Sequence, residues 1–138
     1  MTTLLAVHLA ATWFMLGLIW TIQVVHYPLF HLVGAPSFAS YEAGHTRRIG
    51  ALLLIPAVVE VVSAGLLFAA EPTALTFAAG ALLAGIWLMT ALVHAPLHGR
   101  LAPGYHEAAV ERLVSANWWR TGAWSLRGVL AVAMLLAT

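Results

Sequence analysis

Long apolar runs, interrupted by a few polar clusters, set the pattern of this chain. Four runs stand out, at about 4–25, 49–70, 73–93 and 118–137. Each has roughly 20 residues, which at about 1.5 Å rise per residue matches a hydrocarbon core of about 30 Å. In lipid every backbone N–H and C=O must be satisfied within its own element, so the pattern predicts four membrane-spanning helices. Barrel strands would show about 10 residues of strict alternation, and no such stretch is visible. The expected architecture is all-α: one integral membrane four-helix bundle occupying 1–138, with no soluble domain.

Composition strengthens this reading. Of 138 residues, 62% are hydrophobic and 8% charged, and the mean hydropathy is +0.93. A water-soluble domain needs far more charge to cover its surface. Met1-Thr2-Thr3 carries no basic residue, and the first run outlasts a usual signal h-region, so it reads as a retained helix. The chain has no cysteine, which removes disulfides, iron–sulfur clusters and thiolate metal sites. It has no Asp, hence no Ser–His–Asp set, and it lacks a glycine-rich phosphate loop.

Charge placement predicts orientation. Arg47 and Arg48 follow the first run, while Arg100, Arg112 and Arg120 lie between the last two. The positive-inside rule puts both connections in the cytoplasm and both termini outside. These arginines are ordinary topology signals, so nucleic-acid binding is not expected; membrane lipids and a homo-oligomer or larger membrane complex are the expected partners. His26, His31, His45, His94, His98 and His106 then share the cytoplasmic side, with His8 near the opposite face.

Two matched segments, Val25-His26-Tyr27-Pro28-Leu29 and Val93-His94-Ala95-Pro96-Leu97, lie 68 residues apart, each where an apolar run ends. An offset of two spans preserves topology, so the halves would be parallel helix-pair repeats. The prolines should bend or stop their helices and free carbonyls near the histidines. The blander alternative is a helix-stop signal used twice.

His26 and His94 are the first candidates for ligands. Two histidines related by a pseudo-twofold axis can hold haem iron from opposite sides. Alternatively, His26, His45, His94 and His98 form an imidazole-rich site for Fe, Cu or Zn, with Glu42 or Glu60 adding oxygen. His94 and His98 have the spacing of two ligands on successive turns. Glu42-Ala43-Gly44-His45 is an E-x-x-H step like those of di-iron carboxylate bundles, or else the solvated face of an interfacial helix. Glu60 falls roughly 18 Å beyond Arg48 along a helix, near mid-bilayer, where a carboxylate must be protonated, paired or coordinated. Arg127 is its structural partner of choice. Asn117, Arg120 or Thr121, and Trp124 share one side of the last helix, either as a cofactor-binding wall or as an aromatic belt with a snorkelling arginine. Ala81-x-x-x-Gly85 would let another backbone approach, inside the bundle or across a homodimer.

The pattern Asn117-Trp118-x-Arg120-Thr121, with four apolar spans and Trp20 followed by His26-Tyr27-Pro28, resembles uncharacterised bacterial four-helix membrane proteins. It is also similar to the anthrone-oxygenase-like membrane family, which carries an Asn…Arg element at the start of its last helix. That resemblance implies a small integral membrane oxygenase-like protein, with Asn117 and Arg120 at the matching positions; the histidines have no mapped counterpart. Three function classes follow. The first is a metal- or haem-binding membrane oxidoreductase or oxygenase with its site near the cytoplasmic face. The others are a non-catalytic subunit of a membrane complex, and a small proton-coupled transporter or channel using Glu60 and the histidines.

Overall fold

The structure, a computed structural model, describes residues 1–137. These fold as four long helices with no strand among the described residues: α1 (Thr2–Leu32), α2 (Ala35–Ala70), α3 (Ala74–Leu101) and α4 (Glu107–Leu136). Among the described residues, α1, α2 and α3 are long and apolar enough to cross a membrane. The fourth is of similar length, but Arg120 and Arg127 interrupt its apolar run.

The helices extend well past the apolar runs. α2 begins at Ala35 rather than near 49, and α4 at Glu107 rather than near 118. The early part of α2 buries Phe38, Glu42 and His45, which share one face at i, i+4, i+7, and exposes Arg47 and Arg48. A polar inner stripe there conceals the helix from a hydropathy reading. Pro36 sits in the first turn of α2, where its missing N–H costs nothing. Between α2 and α3, Pro72 stops the chain, and Thr73 and Thr76 form a reciprocal capping box. His106 caps α4 by accepting the Ala109 N–H at 3.3 Å.

Neighbouring helices run antiparallel. His8 on α1 meets Ser63 near the end of α2, whereas His26 meets His45 near its start. Trp13 reaches Gly128 and Gln23 reaches Asn117, which fixes α1 against α4 in the same sense. Backbones touch around a closed square, α1–α2–α3–α4–α1, and neither diagonal pair makes close backbone contact among the described residues.

The interior alternates apolar and polar layers. One end is packed by Leu5, Leu67, Ala79, Ala131 and Met134, the middle by Met15, Ile19, Ala57, Ile86 and Trp124. The far end holds Phe30, Phe38, Leu101, Val110 and Leu113. Between these layers lie buried His8, Thr12, Gln23, Glu60, Asn117, Thr121 and Arg127, while Leu54, Ile55, Phe77, Leu92 and Val129 face outward. Polar groups inside and aliphatic groups outside suit a lipid solvent.

Candidate metal centre at one end of the bundle

The matched histidines lie at matched irregularities. Pro28 has no N–H to give the Val24 carbonyl, and Pro96 has none for Leu92. In compensation the Tyr27 N–H reaches the Ile22 carbonyl at 2.9 Å, and the Ala95 N–H reaches Thr90 in the same way. Each closes a five-residue π turn, Ile22–His26 and Thr90–His94, ending on the histidine. A π turn adds a residue to the local helix and so changes which face the histidine occupies. The two segments therefore share local structure as well as sequence.

The two histidines do not face one another. His94 is buried, and its Nδ1 donates to the Met89 carbonyl at 3.1 Å. That contact fixes the proton on Nδ1 and leaves Nε2 as a bare electron pair, which is buried without a partner among the described residues. His26 is only half-buried and turns to α2, with its Nε2 2.7 Å from His45 Nδ1 and the rings stacked at 4.3 Å.

Around His45 the groups gather closely. Its ring centroid lies 5.4 Å from that of His98 on α3. His98 Nδ1 donates to Glu42 Oε1 at 2.5 Å, and the Tyr27 hydroxyl lies 3.1 Å from His98 Nε2. Glu42 and His45, one turn apart on α2, thus meet His26 from α1 and His98 from α3. Two potential ligand atoms of the step, Glu42 Oε2 and His45 Nε2, are buried with no hydrogen-bond partner among the described residues. Burying such atoms unpaired is costly, and a bound cation relieves that cost. Phe30 packs edge-on to both His26 and His45, closing one side. A cleft of about 470 Å³ beside His26, Tyr41, His45, Arg47 and Arg48 gives access from outside.

The donors stand as two touching pairs. Ligands of one tetrahedral ion with bonds of about 2.1 Å sit roughly 3.3 Å apart, so each pair opens by under about 1 Å to admit one. Among the described residues no three acidic or imidazole groups already surround a single point.

Other expected site residues lie elsewhere. Glu60 is 15 residues beyond His45 on the same helix, which corresponds to roughly 22 Å. It is held by Arg127 at 3.1 Å and by the Trp124 indole N–H at 3.3 Å. Asn117 donates to the Gln23 side chain at 2.9 Å, and Gln23 in turn donates to the Val114 carbonyl at 3.2 Å. Arg120 does not snorkel outward. It is buried, with its guanidinium carbon 5.6 Å from the Trp124 ring centroid, and lies within electrostatic reach of His94. Ala81 and Gly85 are exposed on α3, so this small-residue pair does not pack the interior of the bundle.

Tyr27 is the site residue that sequence reasoning passed over. It is buried and hydrogen-bonded to His98. Its adjacency to His26 was the available signal, but the matched segment has Ala95 there, which hid it.

No protein-family model, no curated protein and no solved structure matches this chain.

Proposed function

We propose that this chain is an integral membrane metalloprotein that binds one transition-metal ion at Glu42, His26, His45 and His98, for redox or oxygenase-like chemistry. The observation that carries it is two contacting ligand-type pairs, His26–His45 and Glu42–His98, drawn from three helices, with Glu42 Oε2 and His45 Nε2 buried and without a hydrogen-bond partner among the described residues. Imidazole with carboxylate suits Fe, Cu or Zn. His94 makes the kind of contact that orients a metal-binding histidine, its Nδ1 donating to a backbone carbonyl. His94 offers its free Nε2 within electrostatic reach of His98.

A non-haem ion is favoured over haem clasped between His26 and His94, because His26 is engaged with His45 instead. If redox-active, a bound ion would supply electron transfer; the residues would hold it and keep Phe30 and Phe38 packed against the site, while the Tyr27 hydroxyl would orient the His98 ring through Nε2. The membrane assignment rests on three membrane-capable helices and the inverted polarity of the bundle. We take α4 as a fourth span, with the metal site cytoplasmic and both termini outside, because exposed Arg47, Arg48, Arg100 and Arg112 lie on the segments around that end. The paired π turns support two parallel helix-pair repeats.

Elemental analysis with an absorption spectrum of detergent-purified protein tests this. About one Fe, Cu or Zn per chain and no Soret band are expected. Folded protein that stays metal-free after exposure to these ions contradicts the proposal.

A further inference from the structure

A second feature lies on the opposite wall of the bundle and is independent of the metal proposal. A groove of about 550 Å³ runs between α3 and α4, lined by Ala81, Gly85, Met89, Trp119, Ala123 and Arg120. All of these except Arg120 are apolar or small, and Trp119 stands 77% exposed beside it. A Cβ built on Gly85 would meet nothing within 4 Å, so the small residues leave open space.

Arg120 is the exception that gives the groove a chemistry. Only 9% of it is exposed, yet it makes no ion pair or hydrogen bond among the described residues, and its Nε is buried without a partner. Contact with Trp124 is its visible compensation. The other buried arginine, Arg127, is paired with Glu60 and bonds to the Ala79 carbonyl as well. A guanidinium buried without a polar partner calls for an anion, and its planar fork matches a carboxylate.

We propose that this groove binds a membrane-soluble single-chain carboxylate, a fatty-acid-like amphiphile. Its head would pair with Arg120 and its chain would lie over Ala81, Gly85 and Ala123. Charge complementarity commits the site to an anion, and the apolar lining commits it to a tail.

The test is saturable binding of a dansyl-labelled fatty acid to the whole protein in a non-ionic detergent, with competition by palmitate or hexadecanol. Palmitate should displace the probe at least tenfold more effectively than hexadecanol. Gly85→Leu, which fills the open space, and Arg120→Gln should each weaken binding at least tenfold. Metal content, read on the same Gly85→Leu sample, should match the wild type, which separates this proposal from the previous one. The proposal is overturned by absent saturable binding, by hexadecanol competing equally, or by unchanged affinity in Gly85→Leu. It is likewise overturned if an anionic phospholipid binds and palmitate does not, or if Gly85→Leu instead dissolves a dimer, which would assign the groove to a second copy.

Discussion

Glu60 on α2 and Arg127 on α4 meet across the diagonal of the bundle, 3.1 Å apart, although their helices make no close backbone contact. Both are essentially inaccessible, and Trp124 donates to the same carboxylate. Removing one member leaves an uncompensated charge inside. Glu60→Gln should therefore cost about 3–5 kcal/mol in unfolding measured in detergent. A double change that also replaces Arg127 with Met should recover part of that loss. Wild-type stability in Glu60→Gln alone would mean the pair is not needed.

Gly128 lies where α1 crosses α4, with its carbonyl accepting the Trp13 indole N–H at 3.3 Å. A Cβ added there would meet Leu16 Cδ2 at 2.8 Å. Because that atom ends a flexible side chain, Gly128→Ala should be tolerated. Gly128→Leu has nowhere to go and should destabilise by about 1–3 kcal/mol, read as a lower unfolding midpoint. Equal midpoints for the two variants would contradict the packing described.

Much of the fold was legible because lipid solvent leaves a plain mark: long runs such as 4–25 and 49–70 fall inside α1 and α2. The continuity of α2 was not legible, since Glu42 and His45 read either as an E-x-x-H step or as part of a separate interfacial helix with a solvated face, until neighbouring helices bury them. For the same reason the chain between the first two runs read as a connection, while only Val33 and Gly34 break the helices there. The Glu60–Arg127 contact was readable as one of several options, because two opposite charges within apolar runs have few other partners. Which histidines meet was hidden by the π turns, whose added residue shifts the side-chain stripe away from simple helical spacing. Ala81 and Gly85, read as a notch inside the bundle or across a homodimer, do not pack the bundle interior but are exposed on α3, with open space beside Gly85.

The π turns exist because Pro28 and Pro96 cannot donate, and each ends on a histidine of interest. Restoring the donor in Pro28→Ala or Pro96→Ala should let the helix relax toward α geometry and turn the histidine by roughly 100°. Helical content by circular dichroism should hold or rise slightly, while metal affinity falls. Full affinity in both variants would separate the turns from the site.

Metal stoichiometry in three proteins side by side tests the central claim most directly: wild type, His45→Ala and His8→Ala. His8 is a buried histidine too, but it is bonded to Ser63 and lies roughly 27 Å from His26 along α1. The account predicts about one ion per chain in the wild type and in His8→Ala, and loss in folded His45→Ala. Metal retained equally in all three, or lost equally from both variants, would contradict it.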